Sequence, residues 1–375
     1  MEPLFESFFQ AGFECSTHRR KDGRRLDLIA STGHDRFARQ DYTAVAGLGL
    51  RTVRDGIRWH LVEASAGRYD WSSFLPMLRA ARSAGVQPVW DLCHYGWPDH
   101  IDIWRPAFVD RFAAFAAAVA TVVRNELPGV PFYCPINEIS FWAWAGGDVA
   151  YFNPGTERRG LALKQQLVRA ALAAIEAIRR VDARARIVHA DPAIHVMAGS
   201  PRMRRRAANA DAAQYQAWDM ISGKLMPGLG GKPEYLDIVG VNYYPDNQWI
   251  YDGPKVRRGH ARYRPLREML LQVHARYGRP MFVAETGAEG DERADWFAYV
   301  CDEVAAAMAQ GVPLHGVCLY PILDYPGWEN ERHCPAGLLG AADRVGRRPV
   351  QAELAAELAR RLGYRNGRVP IPAVG

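Results

Sequence analysis

Short runs rich in β-branched and aromatic residues alternate along the chain with longer segments whose apolar residues recur at helical spacing. Read as strands, the short runs cover 8–16, 51–58, 86–94, 130–137, 185–191, 236–244, 280–285 and 314–320. The helical pattern that follows each of them covers 35–47, 71–84, 106–126, 161–181, 208–225, 263–277, 291–310 and 350–362. Strands that alternate with helices make a parallel sheet covered by helices, and eight β-then-α units in series are the number that closes a barrel. The pattern therefore predicts an α/β protein, one (β/α)8 TIM barrel over 1–375 with no second domain. Gly85, Gly129, Gly278 and Gly311 each stand after a helical stretch and before a strand, where a left-handed cap ends a helix. The long irregular segments 146–160, 192–209 and 244–262 all follow strands, on the side of a barrel where catalysis takes place.

Composition narrows the class. With 375 residues and 49% hydrophobic content the chain has ample apolar material for one large core. No stretch approaches the run of about 20 uncharged apolar residues that a membrane span needs, so no membrane is expected as a partner. The first residues are acidic where a secretory signal needs a basic start, which predicts a cytoplasmic protein. The six cysteines have no CxxC spacing and are expected as thiols. A net charge of +6 comes mainly from arginines in short clusters such as Arg202, Arg204, Arg205 and Arg206, read as solvated loops rather than a nucleic-acid face. Gly228-Leu229-Gly230-Gly231 does not open a helix directly after a strand, so no dinucleotide and no other cofactor is implied. His189, Asp191 and His195 lack a fixed ligand spacing, and no metal is expected.

What distinguishes the pattern from a bare scaffold is the chemistry gathered at the ends of the predicted strands. Arg58, Trp59, His94, Asn137, Glu138, Asp191, Asn242, Tyr243, Tyr244, Glu285, Tyr320 and Asp324 all fall there. Charged groups brought to one mouth cost desolvation, and a site is the common reason to meet that cost. Glu138, in Cys134-Pro135-Ile136-Asn137-Glu138, ends the fourth strand and Glu285, in Val283-Ala284-Glu285, ends the seventh, on opposite sides of the mouth. Glycosidic cleavage needs one protonated carboxyl for the leaving oxygen and one carboxylate for the oxocarbenium-like carbon. Arg58 is the arginine expected beside Glu285, with the Tyr244 hydroxyl as its hydrogen-bond donor, and charge on Glu285 would raise the affinity of Glu138 for its proton. Of the tryptophans at 90, 97, 104, 142, 144, 249 and 328, some are expected to stack on sugar rings and the rest to fill space.

At these positions the chain resembles the clan A glycoside hydrolases, and within them family 1, the β-glucosidases and phospho-β-glucosidases. Asn137-Glu138 is similar to the Asn-Glu-Pro motif, with Ile139 for the proline, and Glu285-Thr286-Gly287 to the E-N-G nucleophile motif, with Thr286 for the asparagine. Gly56-Ile57-Arg58-Trp59 resembles the second-strand region, His94 the histidine of HWDLP, and Gly240-Val241-Asn242-Tyr243-Tyr244 the G-x-N-Y-Y segment. In the last strand Tyr320 stands at a tryptophan position, Asp324 and Trp328 match, and Gly327 takes the place of a sugar-binding glutamate, with Glu329 close by. The family's glutamine at strand one is absent from Glu14-Cys15-Ser16-Thr17-His18-Arg19. The resemblance implies a retaining hydrolase of β-linked glycosides, with Glu285 as nucleophile, Glu138 as acid/base, and Arg58, His94, Asn137, Asn242, Tyr244, Tyr320, Asp324 and Trp328 holding a carbohydrate substrate. It leaves the sugar unassigned. Two alternatives share these residues, a transglycosidase and a sugar-binding barrel without turnover. A Schiff-base enzyme is disfavoured because Lys21, Lys164, Lys224, Lys232 and Lys255 all lie outside the predicted strands.

Overall fold

Each of the eight apolar runs forms a strand, but most are shorter than the hydrophobic pattern suggests, because the chain turns out of the sheet as soon as it reaches the mouth. In the computed structural model, which describes residues 3–365, the strands are β1 Phe9–Gly12, β2 Thr52–Gly56, β3 Gln87–Asp91 and β4 Phe132–Cys134. They continue as β5 Arg186–Pro192, β6 Ile238–Asn242, β7 Met281–Thr286 and β8 Leu314–Leu319. All neighbours pair in parallel, and β8 closes on β1 through Phe9 opposite Val317, so the sheet is a closed barrel. Parallel strands need a crossover between them, and a barrel buries both faces of every strand, which is why these runs are apolar almost throughout.

The crossovers are α1 His34–Gly47, α2 Leu75–Ala84, α3 Pro106–Glu126 and α4 Gly160–Val181, then the shorter α5 Arg204–Ala212 and α6 Gln216–Ile221. Two more follow, α7 Leu266–Tyr277 and α8 Glu292–Ala309, and α9 Ala352–Arg365 comes after the last strand. The expected single helix over 208–225 is thus broken into α5 and α6 with a 3-10 turn between them. Gly85, Gly278 and Gly311 have positive φ as expected of left-handed caps, but Gly129 does not. There α3 ends at Glu126, followed by Leu127 in extended conformation and by Pro128, and proline rather than glycine stops the helix.

Helix α3 also corrects the expectation about apolar stretches, since by length and composition it is able to cross a bilayer. In the barrel it lies in the outer ring, with Phe108, Phe112, Phe115, Val119 and Val123 buried on one face. Trp59 stacks on Phe115 with ring centroids 5.2 Å apart, a tie between α3 and the segment after β2. All six cysteines are buried thiols without disulfide partners.

Inside the barrel two zones differ in character. At the N-terminal end Phe5, Val89, Phe132, Val188, Ile238, Phe282 and Ala284 form a separate apolar cluster. Phe5 packs its ring 5.2 Å from Phe132 and 5.0 Å from Phe282, so the segment before β1 closes the floor. Towards the C-terminal end the interior turns polar, with Arg54 and Asp91 fully buried and Glu285 nearly so. The site stands on a sealed apolar base.

Candidate active site

The polar zone is organised by one arginine. Arg54, in the middle of β2, has no exposed surface and spreads its guanidinium among three partners on three other strands or their ends. It donates to both oxygens of Asp91 at 3.0 and 2.8 Å, to Glu285 Oε1 at 2.7 Å and to Asn137 Oδ1 at 2.6 Å. A planar five-donor fork suits this task, because it can hold several acceptors at fixed angles in one plane. Burial alone would favour neutral Asp91, but Arg54 and then His94 outweigh it and hold this carboxyl below its usual range. Tyr244 donates to the second oxygen of Glu285 at 2.9 Å, so both oxygens of that carboxylate are fixed.

Glu138 faces it from the end of β4. Its backbone sits in the left-handed region at φ 46°, a conformation that costs a non-glycine residue energy and is retained where surrounding contacts impose it. Here the Glu138 N–H donates to Ala190 O at 2.9 Å and the carbonyl receives Trp142 N–H at 2.8 Å. Asn242 donates to Oε1 at 2.9 Å, and the Tyr95 hydroxyl donates to Oε2. Burial first, and then the charge of Glu285, push the Glu138 carboxyl up to about 8, while the hydrogen bonds from Tyr95 and Asn242 act in the opposite direction. The two glutamates are thus unlike in surroundings, one beside a guanidinium and the other among neutral donors.

Asn137 Nδ2 donates to His94 Nε2 at 2.9 Å, and His94 Nδ1 lies 3.0 Å from Asp91 Oδ2, so the ring bridges the two polar strand ends. Burial disfavours the charged imidazole, yet the Asp91 hydrogen bond and the charges of Glu14, Asp91 and Glu285 raise its proton affinity overall. Tyr320 packs its ring nearly parallel to that of His94, with centroids 6.2 Å apart. It reaches this place because residue 12 is glycine, where any Cβ would stand 2.1 Å from Tyr320 Cδ2. Cys15 Sγ lies 3.2 Å from His94 Nδ1 and 3.9 Å from Asp91 Oδ2, a trio close enough to suggest metal ligands. Their donor set does not suit an ion: Asp91 is already bidentate to Arg54, and a dication would be pressed against that guanidinium.

Two expected site residues lie elsewhere. Arg58 does not reach Glu285; it pairs with Asp27 at 3.2 Å and Asp35 at 3.0 Å, outside the barrel. β2 ends at Gly56, and the chain enters a helical turn at Trp59, so Arg58 leaves the barrel wall while Arg54 points inward. Asp324 is committed to its own loop, accepting the Gly337 N–H at 2.8 Å and lying 3.3 Å from His333 Nε2. Trp328 stands at the rim, its ring 4.6 Å from His18 and 5.7 Å from Tyr95 by centroid, with Phe141 and Phe152 completing an aromatic cover. Its indole N–H, His18 Nδ1 and Asn242 Oδ1 are buried polar atoms without hydrogen-bond partners among the described residues.

Arg54, Asp91, Tyr95 and Glu14 were missing from the expected set, although the first two carry a visible signal. An arginine inside Thr52-Val53-Arg54-Asp55 and an aspartate closing Val89-Trp90-Asp91 are charges within strands that a barrel must bury, and buried charges need each other. Of the expected stacking residues, Trp90 and Trp142 are core, Trp97 and Trp104 line a side cavity of about 290 Å³ with Arg19 and Arg25, and Trp144 is exposed. His189, Asp191 and His195 serve separate partners, Tyr235 O, Ser140 N and Asp211 respectively.

No family sequence model and no curated protein sequence matches the chain. Solved structures do. A family 1 β-glucosidase from Thermotoga maritima superposes with a TM-score of 0.77 at 16% identity, covering 99% of this chain and 100% of its own. The chain shares the (β/α)8 barrel fold of that enzyme. The AHE enzyme from Alicyclobacillus herbarius matches equally well, with a TM-score of 0.77 and 16% identity over 97% of this chain and 100% of its own. A hyperthermophilic β-glucosidase mutant gives 0.75 and 15% over 96% and 100%. The likeness in fold thus runs end to end although only 16% of the residues are identical.

Proposed function

We propose that the protein is a retaining glycoside hydrolase of β-linked substrates, with Glu285 as the nucleophile and Glu138 as the acid/base. The observation that carries this reading is the contrast between the two facing carboxyls: Glu285 bound to Arg54 and Tyr244, Glu138 held by Asn242 and Tyr95 with its affinity for a proton raised. In the first step a Glu285 oxygen attacks the anomeric carbon as Glu138 gives its proton to the leaving oxygen. In the second, Glu138 takes a proton from water, and that water displaces Glu285 and returns the configuration to β. Arg54 keeps its countercharge beside Glu285 throughout, and Asn137, His94 and Asn242 border the space for the sugar. The superposed Thermotoga maritima enzyme is described in complex with glucoimidazole and with deoxynojirimycin, both sugar mimics, which supports a carbohydrate as ligand.

The test is nitrophenol release from aryl β-glycosides spanning glucoside, galactoside, mannoside, xyloside, fucoside, glucuronide and 6-phosphoglucoside. Turnover of at least one by the wild type, with kcat lowered by a factor on the order of 10³ or more in Glu285→Ala, is expected. A folded wild type that turns over none of them, yet binds one, would replace hydrolysis with sugar binding.

A further inference from the structure

Tyr95 leaves the fold at an unusual point. It follows β3 directly after His94, has φ 66°, and is 1% exposed despite its position above the mouth. Its ring is held edge-on by His94 at 4.6 Å, Trp142 at 5.8 Å and Trp328 at 5.7 Å, and its own carbonyl accepts the Asn153 side-chain amide at 2.9 Å. These contacts aim one polar atom, the phenol oxygen. It donates to Glu138 Oε2 and accepts from Asn137 Nδ2 at 3.1 Å, so two non-glycine residues with left-handed backbones meet through one hydrogen bond. Strain of this kind, kept at both ends of a single contact, indicates that the contact itself is what the surroundings maintain.

We propose that Tyr95 is a positioning residue for Glu138: its phenol fixes the carboxyl from the β3 side and, as a donor, favours the ionised carboxylate over the acid. The inference rests on the glycosidase reading for its catalytic meaning. When Glu138 gives its proton to the leaving oxygen, the new carboxylate gains the full Tyr95 hydrogen bond, so proton donation is assisted. When it takes a proton from water, that bond weakens, so the second step bears the cost. Because the phenol is buried beside Glu138 and Glu285, its own proton is held far more tightly than usual, and it remains a donor through the range in which Glu138 titrates.

Other groups act on this pair from around the barrel. Glu285 on β7, Asn242 at the end of β6, Tyr244 just beyond it and Asp191 on β5, with Lys164 behind it, act on Glu138; Glu14 after β1 and the adjacent His94 act on Tyr95, and Arg54 on β2 reaches them through Glu285 and Asn137. Asp191 is itself raised, to about 7, by burial, against the opposing charge of Lys164. Tyr95→Phe leaves all of these in place and removes the phenol oxygen, which gives Glu138 its donor and Asn137 Nδ2 an acceptor, so a shift in that variant reports on the phenol.

The experiment is a carbon-13 NMR titration of protein labelled at the glutamate carboxyls, with the Glu138 signal assigned by its loss in Glu138→Gln. In Tyr95→Phe that signal is expected to titrate about one pH unit or more above its wild-type midpoint. On whichever aryl glycoside the wild type cleaves, kcat/KM is expected to fall about tenfold more for a poor leaving group than for dinitrophenolate, which needs no acid. An unchanged Glu138 midpoint in folded Tyr95→Phe overturns the proposal. Should that variant not fold, the same bond is read in the wild type as a downfield proton signal that vanishes when Glu138 is protonated and is absent in Glu138→Gln; its absence at all pH values overturns the proposal equally. The titration needs no substrate, so a wild type without turnover refutes the glycosidase reading alone and leaves the Tyr95 result to be judged separately.

Discussion

At the scale of single residues the decisive correction is an arginine four positions from where it was expected. Arg58 satisfies a motif, whereas Arg54 satisfies geometry: β2 runs only to Gly56, and of its two neighbouring arginines the one inside the strand points into the barrel. Arg54→Lys keeps a positive charge but loses the fork that holds Asp91, Asn137 and Glu285 together. Its kcat/KM is expected to fall on the order of a hundredfold or more in steady-state assays. Arg58→Ala should leave kcat/KM within about threefold while lowering stability by about 1–3 kcal/mol, since Asp27 and Asp35 lose their shared partner. The reverse ranking would return Arg58 to the site. Glu138 makes a second prediction. Raised to about 8, it is the protonated acid below that pH and loses its proton above it, so kcat/KM should decline through this region, and the alkaline limb should be altered in Glu138→Ala. The glutamates, asparagines, His94 and Tyr244 were legible because each ends an apolar run; Tyr95 was not, because a tyrosine next to a histidine carries no mark of the backbone that turns it inward.

At the scale of elements, the chain declares its strands by composition and hides where they stop. Runs such as 8–16 and 86–94 continue in apolar and polar residues past the sheet, so β1 ends at Gly12 and β3 at Asp91, leaving Glu14, Cys15, His94 and Tyr95 to loops. A contact between α1 and β2 shows how helices are pinned to the wall. His34 on α1 is buried, stacked 3.9 Å from Phe13, with Nδ1 2.8 Å from Asp41 and Nε2 2.8 Å from Asp55. Burial opposes a charged imidazole, but Asp55 and Asp41 outweigh it and raise His34 to about 9. Because the folded value lies above that of the unfolded chain, the stabilisation is fully present below about pH 6.5 and is lost as pH rises through about 9. Thermal melts are expected to fall across that window by an amount equivalent to a few kcal/mol, and His34→Asn should abolish this part of the pH dependence. A wild-type melting temperature that is flat from pH 6.5 to 9 would contradict the ion-paired assignment.

At the scale of the whole molecule, closure follows from counting alternations, and the barrel with its helical ring was legible from hydrophobic spacing alone. The floor was not. Phe5 lies before the first strand, outside every run that the pattern marks, yet it seals the barrel against Phe132 and Phe282. Removing it should be felt globally: Phe5→Ala is expected to cost about 3–5 kcal/mol in urea unfolding, against about 0–1 kcal/mol for an exposed residue such as Val345. Above the sealed floor, Glu138 just after β4 and Glu285 on β7 are held by donors on or just after β2, β3 and β6. Whether that pair performs double displacement is decided most directly by adding azide to Glu285→Ala with the aryl β-glycoside that the wild type cleaves. Restored nitrophenol release with an α-glycosyl azide as product is the expected result, since the anion would enter from the face vacated by the carboxylate. A β-glycosyl azide, or rescue in Glu138→Ala with an α product instead, would contradict the assignment of Glu285 as nucleophile.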